Sequence, residues 1–425
     1  MARGDWVTGL LEWLLPAIVV GAIAYCVIAI VAILSYKRAA GGSPGPDTVA
    51  AAPPVSVLRP LAGADDSTEA NLRSLFRQNY GDFEVLVGVH EASDPAMEIA
   101  RRVMAEFPEA PARLVITGSP LVPNAKVWSL SALAREARNE ILVMADSDVH
   151  LPETACTTLV EELSRPGVAL VSCPYRAIGA SPWSRLQALG LNTEFVPEIL
   201  TAVLLRQCDF AIGCTVATRK RDLDAIGGLE SMGPYLAEDF VMGQRMAQSG
   251  RRVLLSRMVV DHHIGGADFA SCWRHRMRWT RSTRRSRRGG YAGEVFTKTL
   301  IVSAIAFALR IEIAPFVAAA VAARVALAWA AATVFAGGTR AGFYWLLLPL
   351  EDLLSFSAWV AGFFGDTVGW RGRALRLDAQ GRIGAVNDAQ GRIGAVNDAQ
   401  GRIGAQPEPE LRAVSIESMK TADRL

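Results

Sequence analysis

Apolar positions along the chain fall into two regimes. Between residues 55 and 260 short apolar runs alternate with stretches of helical period, whereas both flanks carry much longer apolar segments. In the central region the pattern predicts strand Val55 to Leu58, helix Glu69 to Gln78, strand Phe83 to Val89 and helix Ala96 to Phe107. Strand Arg113 to Thr117, helix Val127 to Arg138 and strand Ile141 to Ala145 continue the series. Strands alternating with helices of about ten residues imply right-handed βαβ crossovers and a mostly parallel, Rossmann-like α/β sheet. Further strands are expected at Val168 to Cys173 and within Asp209 to Thr218, and a helix from Glu238 through Gln248.

The flanks have a different solvent. Leu10 to Leu34 supplies the roughly 20 apolar residues that cross a bilayer, and it exceeds the h-region of a signal peptide. Lys37 and Arg38 follow it, which by the positive-inside tendency places the next domain in the cytoplasm. After Phe296 three more apolar segments follow, Leu300 to Leu309, Ile313 to Phe335 and Phe343 to Phe364, from which two or three passes are expected. Arg324, Glu351 and Asp352 interrupt them and are expensive there unless they face protein or water. The stretch Trp183 to Leu205 is long, apolar and interrupted by Pro197. Core packing accounts for it more simply than a lipid-entry face lying against the membrane.

The implied organisation is an N-terminal transmembrane helix (1–38), a Gly/Pro/Ala-rich linker (39–54), a cytoplasmic α/β domain (55–290), a C-terminal membrane region (291–370) and a tail (371–425). The tail holds the ten-residue unit DAQGRIGAVN twice, followed by DAQGRIGA. Units so short and polar bury no core as a solenoid, so the expectation there is a duplication in a disordered segment.

Composition narrows the chemistry. The chain has 425 residues, 51% of them hydrophobic, and a net charge of +2. Such a balance does not point to nucleic acid. Six cysteines without a CxxC pair argue against a zinc site or a disulfide framework. One local exception to the even charge is Trp273 to Arg288, with eight arginines in sixteen residues. Its first half can aim cations at a diphosphate, and its second half, Arg281 to Arg288, can meet anionic headgroups beside the membrane.

Candidate chemistry gathers where strands end. The apolar run Ile141 to Ala145 stops at Asp146, Ser147 and Asp148. Side chains two apart on an extended chain share a face, so Asp146 and Asp148 can hold a hard divalent ion, Mg²⁺ or Mn²⁺, through oxygen. Arg59, Asp94, Asn124 and Lys126 fall at or beyond neighbouring strand ends, the usual ligand crevice of such sheets. Asp94, before Pro95, is equally suited to capping a helix. Glu238 and Asp239 open a helix, where the dipole favours carboxylates, and either can serve as a general base. One of His262 and His263 can add a metal ligand, although burial of one and exposure of the other is the plainer reading.

The ordered motifs PVSVLRPL, HEASDP, PNAKVWSL, ADSD, AEDF and HRMRW resemble those of the ceramide glucosyltransferase family, membrane-bound inverting glycosyltransferases of the GT-A type, and those of the related hopanoid-biosynthesis glycosyltransferases. The resemblance runs from about Val55 to Gly290, with weaker similarity through WRGR after Trp370. It implies that Asp94 contacts the nucleoside, that Asp146 and Asp148 form the DxD metal site with Mg²⁺ or Mn²⁺, and that Asp239 is the catalytic base with Glu238 as fallback. Lys126, His275, Arg278 and Trp279 complete the expected nucleotide-sugar site. His275 stands where the family's (Q/R)xxRW signature has Gln or Arg, which alters the expected hold on the diphosphate.

The expectation is therefore a GT-A enzyme anchored in a bacterial-type inner membrane and facing the cytoplasm. It would transfer one sugar, glucose or N-acetylglucosamine, from a UDP-sugar to the hydroxyl of a lipid, a ceramide or a hopanoid. A processive polysaccharide synthase and a non-catalytic nucleotide-sugar-binding membrane protein are the competing readings.

Overall fold

The computed structural model describes residues 5–40, 52–205, 208–309, 314–335, 342–370, 373–385 and 412–415. The chain divides into two compact units. One is helical (1–42, 176–207 and 266–366) and the other is α/β (43–175, 208–265 and 367–425). The expected continuous 55–290 block is thus interleaved, since 176–207 and 266–290 cluster with the apolar helices and residues after 366 return to the sheet.

The α/β unit is built on four parallel strands: β1 (Val55–Pro60), β2 (Phe83–Val89), β3 (Ala112–Ile116) and β4 (Ile141–Ala145). β1 pairs with β2 on one side (Val55 opposite Phe83) and with β4 on the other (Val55 opposite Ile141), and β3 pairs with β2. The chain moves outward from β1 to β3 and then returns to the far side of β1. Between β1 and β4 the direction of winding therefore reverses, and a crevice opens at the strands' C-terminal ends. Strand Thr215–Arg219 runs antiparallel beside β4, Val168–Ser172 pairs antiparallel with it, and Arg252–Leu255 follows in parallel. Arg412–Ser415 closes the other edge against β3. β1 and β4 are buried along their whole length, as continuous apolar runs covered on both faces should be. This is the mostly parallel, Rossmann-like α/β sheet that the alternation implied.

Two further pieces belong to this unit. Val260–Ile264 pairs with Val149–His150 just after the DxD, setting His262 opposite Val149. Thr367–Trp370, Arg373–Leu377 and Ile383–Ala385 form a small antiparallel sheet. The last of these strands and the turn before it are the first DAQGRIGA copy, so this copy is folded rather than part of a disordered tail. The second and third copies lie outside the described residues.

The helical unit contains Asp5–Ala40 and Ala314–Phe335, within which Trp13–Ala40 and Ala314–Thr333 are long and apolar enough to cross a membrane. The pair Arg288–Phe296 and Thr299–Leu309, bent by 60°, makes a third span if read as one. The expected segment Phe343 to Phe364 instead splits into Gly342–Leu347 and a fifteen-residue helix, Leu348–Gly362, with Pro349 at its first turn. Its acids are paired. Arg324 grips Asp352 with two hydrogen bonds (3.0 and 2.7 Å) and donates to the Thr193 carbonyl, while Arg276 donates to Glu351 at 2.7 Å. Buried charge is tolerated where geometry and extra hydrogen bonds offset desolvation.

Trp183 to Leu205 is also one apolar rod, in which helix Pro182–Gly190 passes through a π-helical turn, Leu191–Phe195, into Val196–Leu204. The wider turn falls just before Pro197, whose missing N–H leaves a carbonyl without its usual partner. The arginine-rich helix Phe269–Ser286 uses part of its cationic face internally. Arg281 and Arg284 donate to the carbonyls of Phe363, Phe364 and Gly365, and Arg284 pairs with Asp366. These are the orphan acceptors and negative pole of the preceding helix. Arg281 and Arg284, within the segment expected to meet headgroups, are thus engaged with the chain that follows helix Leu348–Gly362.

Candidate active site

Asp146 leaves β4 with its backbone N–H bonded to the Cys214 carbonyl at 3.0 Å, and the chain then turns, so that the Val149 N–H returns to the Asp146 carbonyl. The two aspartates consequently emerge at the end of β4 and face different partners. Asp146 Oδ1 lies 2.7 Å from Lys126 Nζ, and the same ammonium is 2.9 Å from Glu238 Oε1. Lys126 Nζ also donates to the Gly213 carbonyl at 3.4 Å. Asp148 Oδ2 meets His262 Nε2 at 3.1 Å, and its carbonyl accepts from the His263 N–H. The other oxygen, Asp148 Oδ1, has no hydrogen-bond partner.

Lys126 reaches this position because Asn124 starts its helix. The Asn124 side chain accepts from the Lys126 and Val127 N–H groups, a regular N-cap. Its amide nitrogen meanwhile donates to the Tyr235 carbonyl at 2.9 Å and to Glu238 Oε2 at 3.0 Å. Both carboxylate oxygens of Glu238 are therefore committed, and the residue is buried. Asp239, next along helix Glu238–Gln248, lies against Gly213: a Cβ there would sit 2.8 Å from Asp239 Oδ2. The absence of a side chain at Gly213 is what admits the Asp239 carboxylate so close to this backbone.

Electrostatics separate these acids into roles. Burial, reinforced by the neighbouring Glu238 charge and opposed by Lys126, pushes Asp239 up to about 7. Burial likewise raises Asp146 to about 6 against the pull of Lys126. Asp148 is also penalised by burial, but its contact with His262 outweighs this and holds it below the ordinary carboxylate range. The Asp148 side chain is 40% exposed, against 28% for Asp146 and 10% for Glu238. Asp239 and Asp146 can therefore take up a proton near neutrality, whereas Asp148 stays ionised.

Asp94 has a different setting. Its side chain caps helix Pro95–Glu106 by accepting from the Ala96 N–H at 2.8 Å, and both oxygens also take the Gly63 N–H, at 3.0 and 3.2 Å. It ties the loop after β1 to that helix. The remaining expected residues lie on Phe269–Ser286 in the helical unit, where the His275 ring packs 5.0 Å from Trp279, Trp279 packs 5.1 Å from Phe195, and His275 contacts Gln187. Arg278 follows on the same helix, half-buried.

The sequence model for glycosyl transferase family 21 matches residues 16–383. The chain belongs to this family. Among curated relatives, ceramide glucosyltransferase 1 of Caenorhabditis elegans is 27% identical over 206 residues, covering 48% of this chain and 44% of that protein. The ceramide glucosyltransferase of Komagataella phaffii is 30% identical over 115 residues, 26% of this chain and 23% of the relative. The chain thus spans under half the length of the curated relatives it matches. Among solved structures, the mannosyltransferase PcManGT from Pyrobaculum calidifontis, in complex with GDP-Man and Mn²⁺, aligns with a TM-score of 0.45 at 22% identity, over 82% of this chain and 99% of that one.

Within this family-21 chain, three residues named from the sequence take on definite partners. Glu238 is tied up by Lys126 and Asn124, which leaves Asp239 as the acid beside open backbone. His262, the buried member of the histidine pair, contacts Asp148 directly. Its only sequence signal was alternation in VDHHI, which turns His262 inward. Asn124, besides capping its helix, holds Glu238, a role that its place beyond a strand end did not reveal.

Among the described residues, no three His, Cys, Asp or Glu side chains converge as a protein-only metal cage. The donors present still suit Mg²⁺ or Mn²⁺. Asp148 offers a hard oxygen without a partner beside Asp146, and such ions are commonly held by one or two carboxylates with substrate phosphates completing the shell.

Proposed function

We propose that the protein is a membrane-anchored, inverting glycosyltransferase that moves a single sugar from a UDP-sugar to the hydroxyl of a membrane lipid, a ceramide or a hopanoid. The observation that carries this reading is the gathering of Asp146, Lys126, Gly213, Glu238 and Asp239 at the C-terminal end of β4, with Asp148 beside them. Support also comes from the family and from the apolar helices, which suit an enzyme whose acceptor is a lipid.

A divalent cation held by Asp148 and Asp146 would supply charge neutralisation for the departing diphosphate. The other steps belong to the chain. Lys126 keeps Asp146 and Glu238 in register and adds positive charge beside the phosphates. Asp94 contacts the nucleoside. Asp239 takes the proton of the acceptor hydroxyl as the new bond to the anomeric carbon forms and the bond to the diphosphate oxygen breaks. A single displacement inverts that carbon.

The test is transfer from radiolabelled UDP-glucose or UDP-N-acetylglucosamine to ceramide or hopanoid in nanodiscs, followed by product analysis. A lipid carrying one inverted sugar supports the reading, and its loss in Asp239→Asn with donor binding intact assigns the base. Polymer product would shift the assignment to a processive synthase. Absence of UDP release with every donor and acceptor pair would overturn it in favour of a binding protein.

A further inference from the structure

The loop Gly233–Ala237, which delivers Glu238 and Asp239 to the site, is clamped from two sides. On one side the Asn124 N–H donates to the Gly233 carbonyl at 3.0 Å and the Asn124 side chain to the Tyr235 carbonyl. On the other side lies the turn built by the first repeat copy. Asp378 Oδ1 accepts from the Gln380 and Arg382 N–H groups, both at 2.8 Å, and Gly381 takes a left-handed φ of 78° that favours glycine. The D-A-Q-G-R sequence of the repeat thus specifies its own turn.

That turn pairs with the loop. The Ile383 N–H donates to the Pro234 carbonyl at 2.7 Å, the Leu236 N–H to the Gly381 carbonyl at 3.4 Å, and Tyr235 bridges Arg382. The Arg382 guanidinium lies 5.5 Å from the Tyr235 ring centroid, with Nε donating to the Tyr235 hydroxyl at 3.3 Å. Arg245, on the helix that begins with Glu238, lies 5.8 Å from the same ring. Leu236 packs onto Val368, Leu377 and Ile383, the small core of the hairpin. Tyr235 therefore has a cation from the repeat turn and another from the base-bearing helix.

We propose that the first DAQGRIGA copy is a working part of the α/β unit, and that Arg382 is a positioning residue acting through Tyr235 on the loop that sets Asp239. This rests on the assignment of Asp239 above. Arg382 is exposed, so its removal takes away a stacking and hydrogen-bond contact while leaving the core intact. Small displacements of a catalytic group cost rate out of proportion to stability, about 10- to 10²-fold.

The deciding variant replaces the arginine in all three copies, Arg382→Ala, Arg392→Ala and Arg402→Ala, so that no other copy supplies the side chain. In the full-length protein in nanodiscs, amide exchange of peptides covering 233–239 is expected to accelerate, with little change in melting temperature. Transfer is expected to show kcat at least 10-fold lower at unchanged donor KM, partly restored by the triple Arg→Lys variant. Unchanged exchange at 233–239 overturns the proposal whether or not transfer is detected, and so does accelerated exchange accompanied by wild-type kcat. Lack of transfer by the unmodified protein bears on the proposed function alone, because the exchange measurement does not depend on activity.

Discussion

Replacing Gly213 by alanine probes the pivot of the site with one methyl group. The added Cβ would stand 2.8 Å from Asp239 Oδ2, 3.1 Å from its Cγ and 3.3 Å from its Cβ. The Oδ2 contact lies roughly half an ångström inside the 3.4 Å at which ordinary contact begins. Gly213 is not among the glycines with positive φ, so alanine imposes no backbone strain there. The atoms in the way form the tip of a side chain, which can rotate aside. The protein should therefore fold, with Asp239 turned out of place.

A displacement of this size at a proton-accepting group is expected to lower kcat by about 10²-fold. Donor binding, which rests on other residues, should hold. The assay is steady-state transfer in nanodiscs with donor KM, donor affinity by calorimetry and melting temperature measured on the same preparations. Folded Gly213→Ala with kcat within twofold of wild type would refute the placement of Asp239 as base. A parallel loss of donor affinity would instead indicate that the strand after Cys208 carries the nucleotide.

The shift of Asp239 to about 7 predicts that kcat falls as pH drops through that value, because only the ionised carboxylate accepts a proton, and Asp239→Asn should lose that limb along with about 10²- to 10⁴-fold in rate. Lys126→Met leaves Glu238 and Asp146 facing each other without their shared cation, and breaking one partner of a buried pair typically costs about 3–5 kcal/mol, to be read as a lowered denaturant midpoint. His262→Ala should weaken Mn²⁺ binding by about 10- to 10²-fold in titrations followed by electron paramagnetic resonance, since it removes the group that orients Asp148 and keeps it ionised; unchanged affinity would confine His262 to packing.

The parts of this molecule most legible in the sequence were those governed by short-range period and strand ends. Ile141 to Ala145 followed by Asp-Ser-Asp read as a buried strand delivering acids to an edge, and Asn124 and Lys126 fell beyond the end of a neighbouring strand, in the same crevice. Interleaving of the two units was not legible. It depends on 176–207 and 266–290 leaving the sheet, and nothing local distinguishes an apolar helix that packs on a sheet from one that packs on membrane helices. Nor did periodicity show which acid of the Glu238, Asp239 pair is committed, because Lys126 and Asn124 approach from more than a hundred residues away in sequence.

The same logic explains the repeat. Counted as a solenoid unit, DAQGRIGA is too short and polar to bury anything, and that reasoning remains sound for the copy taken alone. What it omits is that a turn need not bury a core of its own if it can lend backbone donors to a loop already half fixed. Pro234 has no N–H and its carbonyl needs a partner, which the Ile383 N–H provides; Leu236 needs cover, which Leu377 and Ile383 supply. Polarity of the repeat and the unmet needs of the loop before Glu238 are therefore complementary, and only the folded chain places the two together.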